Sequence, residues 1–344
     1  MYRDMPTKAP VSPEHPPHSV VIVRLSALGD TVHVMPLVAS LRQAWPETHI
    51  SWAVQPATQR LMAPHPDVDE FLAFDRAAGI RAYPRFRRAL AGRRFDLAIV
   101  PHTALKAGLV TAMIPASRKL GYDRARAREL HAMFTNEQIP PHTPQHTQDE
   151  FLEFLHYLGV KPRLEWNFAF SEQERADQRE FFDAIARPTL AVVLHTSWPS
   201  KNWIAERYAR VLDTAEQEFG LQTVLVGGVS PAEEKLAHEV TALTSARPIN
   251  ARADDVRRLA WLLDGADLAL SPDTAPLHIA VAVKTPTIGL YAATDPKRVG
   301  PYGRYHELLV DKFRPNGSMD TIEVQDVLPK LELAVRTYVA EGTG

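Results

Sequence analysis

The sequence predicts an α/β protein of two domains with a cleft between them. Its 344 residues exceed what one hydrophobic core usually organises. Continuous apolar runs alternate with helical patterns in both halves, as expected where helices cover both faces of a parallel sheet. An irregular, proline-containing stretch separates the two series. Because ligands often bind in clefts between domains, we expect the functional site there.

The first half of the chain alternates buried strands with helices. Residues 20–25 form an apolar run broken only by Arg24, which is typical of a strand buried on both faces of a sheet. A loop at 26–30 follows, and the spacing of apolar residues over 31–45 predicts a helix that Pro46 ends. We predict an α/β domain over residues 20–165, with further strands at 50–54, 71–74 and 96–100 and a helix over 104–113.

The second half repeats this pattern after a boundary. Residues 166–188 are irregular and end at a proline, so we place the linker between the domains there. A second α/β domain is predicted over 189–320, followed by a terminal helix within 321–344. Its predicted strands lie at 190–195, 222–226, 267–270 and 286–290.

Composition excludes several classes of protein. The hydrophobic fraction of 45% and the charged fraction of 23% are those of an ordinary globular chain. The absence of cysteine removes disulfides, thiolate nucleophiles, iron–sulfur clusters and the usual structural zinc sites. A formal net charge of −2 gives no reason to expect nucleic acid as a partner, since binding to a phosphate backbone needs a basic excess.

The first residues of the chain and its apolar runs indicate where in the cell the protein is expected. Residues 1–19 are rich in proline and lack the basic and apolar regions of a signal peptide, so we expect a disordered tail. No apolar run approaches the roughly 20 residues that cross a bilayer. We therefore expect a cytoplasmic protein, for which contact with a membrane surface stays open.

The loop over 26–30 lies at the carboxyl end of the first predicted strand, where doubly wound sheets bind their ligands. Asp30 stands at the start of the next helix, so one interpretation is an N-cap carboxylate that contributes about 1 kcal/mol. The other interpretation is a general base that accepts a proton from an attacking hydroxyl. The two roles can coexist.

Polar residues also follow two strands of the second domain. Segment 271–278 comes after a strand, and free N–H groups at the start of its helix can hold a diphosphate. His278 lies one helical turn after Thr274, so the two share a face, although a lone helical histidine is more often simply packed. The loop after the strand at 190–195 supplies two hydroxyls and an ammonium that suit a diphosphate, each of which alone would be an ordinary surface group: Thr196, Ser197 and Lys201.

Four segments together carry a family resemblance. They read RLSALGD from Arg24, HTSWPSKNW from His195, SPDTAPLHIA from Ser271 and YAATDPKRVGPYG from Tyr291. In this order they resemble glycosyltransferase family nine, the ADP-heptose:lipopolysaccharide heptosyltransferases. The resemblance implies the GT-B fold, in which two Rossmann-like domains face a central cleft, and a terminal helix that returns to the N-terminal domain. It also implies an inverting transferase, and we expect no cofactor.

The resemblance assigns roles to matching residues. Asp30 matches the family's catalytic base, and Lys201 matches the lysine that contacts the donor diphosphate. Glu233 matches a glutamate that holds the donor ribose. Ala275-Pro276 and Ala292-Ala293 depart from the commonest pattern, which leaves the donor sugar open. The other implied donor-binding residues are Thr196, Ser197, Asp273, Thr274, Ala275 and His278.

Arginines cluster in the half of the chain that should hold the acceptor. Residues 76–94 contain no acid, and although a charge run is usually a solvated helix face, this one also suits an anionic acceptor or membrane surface. Arg128 is the best single candidate, because a similar D-x-x-x-x-R-E stretch recurs in the family. The partners expected are ADP-heptose, a lipid-linked acceptor of the Kdo–lipid A type and, peripherally, the cytoplasmic face of the inner membrane. The candidate acceptor-binding residues are Arg81, Arg85, Arg87, Arg88 and Arg128.

Other interpretations follow from the same residues. Asp67-Val68-Asp69 spells the D-x-D of metal-dependent glycosyltransferases, but it lies far from the donor segments, so we interpret it as chance and expect no metal site. The same fold with a different nucleotide sugar or acceptor stays an alternative. A non-catalytic sugar-binding protein is a further alternative, against which Asp30, Lys201 and His278 argue, since a scaffold has no chemical need for that combination.

Overall fold

The computed structural model describes residues 11–127 and 131–339 of the chain. The chain divides into two compact units, with the boundary between Ala169 and Phe170. Each unit is built on a six-stranded sheet, and all strand pairs in both sheets are parallel. The predicted α/β class, with one doubly wound sheet in each half of the chain, is therefore confirmed.

The first unit alternates strands and helices, and its last strand is a short one at the edge. Its strands are β1 (Ser19–Val23), β2 (His49–Val54), β3 (Glu70–Ala73), β4 (Phe95–Val100), β5 (Ala116–Gly121) and β6 (Glu137–Gln138). Its helices are α1 (Leu28–Ala44), α2 (Pro56–Met62), α3 (Ala82–Ala89), α4 (Leu105–Met113) and α5 (Thr147–Tyr157).

The strand order of this sheet is β3-β2-β1-β4-β5-β6. The chain runs outward from β1 to β3, then returns to place β4 beside β1 and runs outward on the other side. This reversal leaves a crevice at the carboxyl ends of β1 and β4, which is where such sheets bind ligands. Residues 20–23 of β1 are fully inaccessible to solvent, as their continuous apolar run predicts.

The second unit has the same construction. Its strands are β7 (Thr189–Val193), β8 (Gln222–Val226), β9 (Ile249–Asn250), β10 (Leu268–Pro272), β11 (Thr287–Tyr291) and β12 (Val310–Asp311). Its helices are α6 (Glu172–Asp183), α7 (Ala205–Gln217), α8 (Pro231–Leu243), α9 (Val256–Gly265), α10 (Ala275–Ala282), α11 (Pro296–Val299) and α12 (Val324–Ala334).

The second sheet has the order β12-β11-β10-β7-β8-β9, which is the order of the first sheet counted from β7. Its crevice therefore lies at the carboxyl ends of β7 and β10. The loops that leave these two strands carry most of the predicted donor-binding residues.

The predicted linker contains a regular helix, because α6 occupies most of it. Ser171 caps this helix by accepting the N–H of Glu174, whose carboxylate accepts the N–H of Ser171 in return. Two hydrogen bonds of 2.6 Å from Arg257 to Glu174 join α6 to α9, and together with the N–H of Ser171 they lower the pKa of Glu174 to about 2. Most of the α6 surface is polar and exposed, so its apolar periodicity is weak.

The described part of the terminal segment packs within the second unit, and its predicted return to the first domain stays a prediction. Ile322, Val327 and Leu331 are fully buried in the core of the second unit. The carbonyl of Ile322 accepts hydrogen bonds from Trp203 Nε1 at 2.9 Å and from Arg207 at 2.7 Å. The apolar face of α12 thus has its partners in its own unit.

The end of the predicted disordered tail is held against the first unit. Thr48 Oγ1 donates to the carbonyl of Pro17 at 2.6 Å, and Trp45 Nε1 donates to the carbonyl of Ser12 at 3.2 Å. The N–H of His18 donates to Asp96 at 2.8 Å. Residues 11–18 are therefore ordered by these contacts, and residues 1–10 lie outside the described part. None of the described helices is both long and apolar enough to span a bilayer.

Candidate functional site

The crevice of the second unit brings together residues far apart in sequence. Strands β7 and β10 are paired, with Val192 opposite Leu270. The loop over 196–201 leaves β7 and the segment over 273–275 leaves β10, so both lie at the same edge of the sheet. Their side chains meet directly, since Lys201 Nζ donates to Asp273 Oδ2 at 2.6 Å.

Asp273 is the centre of this group of polar side chains. It is only 6% exposed, and its Oδ2 also accepts a hydrogen bond of 2.7 Å from Thr294 Oγ1. His278 Nε2 lies 3.5 Å from its Oδ1. Burial raises the pKa of Asp273, but the hydrogen bond and charge of His278 and the charge of Lys201 outweigh it and hold the pKa well below its usual range. The carboxylate is therefore ionised and fixed in one orientation.

Asp273 in turn orients Lys201. The ammonium group has three N–H donors, and the carboxylate occupies one of them. The side chain is 20% exposed, so the ammonium is held at the crevice without being sealed from it. Such a cation can bind an anionic group that enters the crevice.

The start of α10 supplies backbone donors beside this cation. Thr274 is the N-cap residue, and its side chain makes no capping hydrogen bond. Ala275 begins the helix, Pro276 carries no N–H, and the N–H of Leu277 already donates to the carbonyl of Thr274 at 3.0 Å. The N–H groups of Thr274 and Ala275 have no partner among the described residues and are the backbone donors left for a ligand. Together with the helix dipole they favour an anion at this point. The predicted donor-binding residues Asp273, Thr274, Ala275, Lys201 and His278 therefore lie together.

The loop after β7 has a fixed shape. Thr196 is buried; its N–H donates to Asn202 Oδ1 at 2.6 Å, and its hydroxyl donates to the carbonyl of Trp198 at 2.8 Å. Ser197 is exposed on the same loop, next to Trp198, whose side chain is 67% exposed. Thr196 thus shapes the loop, and its hydroxyl proton is already used there. A contact of either residue with the donor stays a prediction.

Glu233 has a structural role in addition to the predicted one. Its carboxylate accepts the N–H groups of Gly228 and Ser230, both at 3.0 Å, and forms the capping box of α8 with Ser230. Burial raises the pKa of Glu233, but these hydrogen bonds lower the pKa by more than burial raises it. The pKa therefore lies below its usual value, and the group is ionised. A contact with the donor ribose stays a prediction.

Asp30 lies in the crevice of the first unit. Helix α1 begins at Leu28 with Ala27 as its N-cap, so Asp30 is the third helical residue rather than the N-cap. Its carboxylate accepts the N–H of Ala27 at 3.2 Å and forms an ion pair with Arg24. The carboxylate supports the helix start in this way, yet 34% of the side chain stays exposed.

Arg24 is a further residue of this site, for which the sequence predicted no role. Its guanidinium pairs with Asp30, donates to the carbonyl of Pro101 at 2.7 Å and lies over the ring of Phe151. The signal for it was the one charge inside the otherwise apolar run at 20–25. Thr294 in the second unit was missed too, although it lies inside one of the four segments that carry the resemblance.

The predicted acceptor arginines lie on or next to α3. Arg81, Arg85, Arg87 and Arg88 are exposed, and none of the four forms an ion pair with a residue in the described ranges. By helical spacing Arg81, Arg85 and Arg88 form one stripe, whereas Arg87 lies on the other side of the buried Phe86. Ile80, directly before the stripe, is 85% exposed. Arg128 lies outside the described residues.

The D-x-D segment takes part in structural contacts. Asp69 accepts the N–H of Ile50 at 2.7 Å and pairs with Arg42 at 2.5 Å. Asp67 accepts a hydrogen bond of 2.7 Å from Asn167. Over residues 11–127 and 131–339, no cluster of three or more His, Asp or Glu side chains is arranged to bind a metal ion.

Comparisons with known proteins agree on one family. The profile of glycosyltransferase family 9 (heptosyltransferase) matches residues 83–330. The chain is 31% identical over 315 residues to the lipopolysaccharide core heptosyltransferase OpsX of Haemophilus influenzae, covering 91% of this chain and 90% of that protein. It is 29% identical over 303 residues to lipopolysaccharide heptosyltransferase 1 of Salmonella typhimurium, covering 83% and 92%.

Solved structures have the same fold. A glycosyl transferase family 9 protein of Veillonella parvula superposes with a TM-score of 0.82 at 21% identity, covering 96% of this chain and 99% of that one. The heptosyltransferase WaaC of E. coli with ADP superposes with a TM-score of 0.77 at 22% identity, covering 92% and 99%. These likenesses confirm the predicted GT-B fold.

Proposed function

Since the chain belongs to glycosyltransferase family 9, the heptosyltransferase family, we propose that it transfers a heptose from ADP-heptose to an inner-core lipopolysaccharide acceptor. The observation that carries this proposal is the group of Lys201, Asp273 and His278 at the start of α10. It combines a held cation with free backbone donors at the crevice where a doubly wound sheet binds nucleotides.

The second unit binds the donor. Lys201 and the N–H groups of Thr274 and Ala275 contact the diphosphate, and Asp273 keeps the ammonium in place for that contact. The same groups stabilise the negative charge that grows on the diphosphate as its bond to the sugar breaks. Thr274, Ala275 and His278 are the neighbouring donor contacts, and Thr196, Ser197 and Glu233 are further donor contacts implied by the family.

Asp30 in the first unit acts as the general base. It takes the proton of the acceptor hydroxyl while the hydroxyl oxygen bonds to the anomeric carbon of the heptose. The bond from that carbon to the diphosphate oxygen breaks, ADP leaves with the electron pair, and the anomeric configuration inverts. Arg24 holds the carboxylate at the crevice during this step.

The arginines of α3 bind the anionic acceptor. Their exposure and their lack of acidic partners among the described residues leave their charge available for phosphates and sugar carboxylates. The same surface, with the exposed Ile80, supports contact of the enzyme with an anionic bilayer, which we propose is the cytoplasmic face of the inner membrane. Arg128 is the remaining candidate for acceptor binding.

The test is a transfer assay on purified protein with ADP-heptose and Kdo–lipid A. We expect the acceptor to gain the mass of one heptose residue and one ADP to be released for each transfer. ADP-glucose and UDP-glucose serve as comparators, because the departures at Ala275-Pro276 and Ala292-Ala293 leave another nucleotide sugar as the second candidate. Faster transfer from either comparator, or no mass gain with any donor, would contradict the proposal.

A further inference from the structure

The loop after β4 reaches the same crevice as Asp30. Strands β1 and β4 are paired, with Ile22 opposite Ile99, so the residues that follow them meet at the carboxyl edge of the sheet. His102 is the second residue after the end of β4. The strand order reverses between these two strands, which makes this the point where the first sheet should bind its ligand.

One guanidinium joins the two loops. Arg24 pairs with Asp30 on one side and donates to the carbonyl of Pro101 at 2.7 Å on the other. The N–H of Leu25 donates to His102 Nδ1 at 3.4 Å. The imidazole of His102 is therefore held near the carboxylate of Asp30, because Arg24 and Leu25, which directly follow β1, contact both loops.

These contacts define the protonation of His102. Because Nδ1 accepts a backbone N–H, the ring proton must sit on Nε2. Burial, and the charges of Arg24 and His131, lower the pKa of His102 to about 3, so the ring is neutral at physiological pH. The ring is only partly buried, and its Nε2 has no hydrogen-bond partner in the part of the chain that the structure describes.

We infer that His102 binds the acceptor sugar, with its Nε2–H donating to an oxygen next to the hydroxyl that Asp30 deprotonates. This rests on the proposed function. A neutral ring whose Nδ1 is occupied can donate a proton in a hydrogen bond but cannot act as a competing base, so it selects an oxygen ligand and leaves proton removal to Asp30. No feature of the sequence alone indicated this residue.

The test compares three variants of the full chain. His102→Phe removes the donor, His102→Gln keeps an amide N–H donor and an oxygen, and His131→Phe is the matched control. His131 is 1% exposed, and neither of its ring nitrogens has a hydrogen-bond partner, so its replacement removes no hydrogen bond. Each variant is measured for affinity to Kdo–lipid A in detergent without donor, for kcat and acceptor KM with ADP-heptose, for ADP affinity and for melting temperature.

We expect His102→Phe to weaken acceptor binding and to lower kcat/KM by about 3- to 10-fold each, the loss that follows from one neutral hydrogen bond. His102→Gln should recover most of this loss, His131→Phe should match the parent, and ADP affinity should stay constant throughout. Parental acceptor affinity in His102→Phe would overturn the inference. The inference would also be overturned if His102→Gln bound the acceptor as weakly as His102→Phe does. It would be overturned too if His102→Phe had a lower melting temperature and a lower ADP affinity than the parent. Either result would indicate a structural role for His102.

The same measurements separate this inference from the proposed function. A parent protein that binds the acceptor but transfers no heptose contradicts the proposed function, while the relative acceptor affinities of the variants still decide the role of His102. A parent protein that neither binds nor modifies the acceptor overturns both.

Discussion

At the scale of single residues, the two candidate carboxylates differ in their surroundings. Asp273 is almost wholly buried and is bound by Lys201, Thr294 and His278. Asp30 is one-third exposed and is bound by one guanidinium and one backbone N–H. A buried carboxylate with several donors orients its partners, whereas an open one keeps lone pairs that a hydroxyl can reach. This contrast supports Asp30 as the base and Asp273 as a positioning residue.

Asp30→Asn separates the two roles of this side chain. The amide oxygen can still accept the N–H of Ala27 and support the start of α1, but it cannot accept a proton from the acceptor hydroxyl. We expect kcat to fall by about 10²- to 10⁴-fold with melting temperature and ADP affinity close to those of the parent. Steady-state kinetics, calorimetry and thermal unfolding measure these quantities. Parental turnover would leave Asp30 with only its contribution to the helix start.

Lys201→Met tests the donor cation. The change keeps an unbranched side chain one atom shorter, removes its charge and leaves the Asp273 carboxylate facing the diphosphate. Loss of a charged hydrogen bond of about 1.5–3 kcal/mol should weaken ADP binding by about 10- to 100-fold. Lys201→Arg, which keeps the charge, is the control and should stay within a few-fold of the parent. Calorimetry at two salt concentrations should also show weaker salt dependence in the methionine variant, and equal affinities would place Lys201 outside the site.

At the scale of elements, the strands that carry the sites were the most predictable part. Strands β7 and β10, and β1 after its half-buried first residue, are buried on both faces, and such strands read as continuous apolar runs. Helix α6 was missed because its surface is mostly polar, although its S-x-x-E capping box was present in the sequence. The position of α12 depends on tertiary contacts, which no local pattern encodes.

Within the site, too, the sequence could not predict contacts that depend on the tertiary structure. The resemblance identified both Lys201 and Asp273, but their hydrogen bond joins residues 72 positions apart and emerges only when β7 and β10 pair. His102 and Asp30 are likewise joined only through the pairing of β1 and β4. Sequence patterns therefore found residues that sit in signature loops and missed residues whose role depends on a neighbouring strand.

The arginine stripe on α3 makes a prediction at this scale. Replacing both Arg85 and Arg88 by alanine should raise the acceptor KM, because each lost contact with a phosphate or carboxylate weakens binding of the acceptor and not of the donor. Arg87→Ala removes the same kind of charge from the other side of the helix and is the matched control, for which we expect a smaller effect.

Steady-state kinetics on intact and dephosphorylated acceptor measure this difference. The gap between the double variant and the parent should narrow on the dephosphorylated acceptor, since the lost interaction is then absent in both. If the Arg87 variant and the double variant behave alike, the arginines act as a general basic surface and not as a binding stripe.

At the scale of the whole molecule, the chain uses one topology twice. Both sheets reverse their strand order beside their first strand, and each reversal places a polar group at the carboxyl edge: Asp30, Arg24 and His102 in one unit, Lys201 and Asp273 in the other. We assign the acceptor to the first group and the donor to the second. Recognition of the two substrates is then divided by unit, and this division can be tested without any substitution.

Hydrogen–deuterium exchange with ADP alone should show the division directly. Ligand binding to the folded state slows local opening of the segments that the ligand contacts. We expect ADP to protect the loops at 196–201 and 271–278 and to leave the loops at 24–30 and 101–105 at their free rates. Kdo–lipid A without donor should give the opposite pattern. If adenine is the preferred base, UDP at the same concentration should protect 196–201 and 271–278 less than ADP does. Protection of 24–30 by ADP alone would place the donor in the first unit and reverse the assignment of the two crevices.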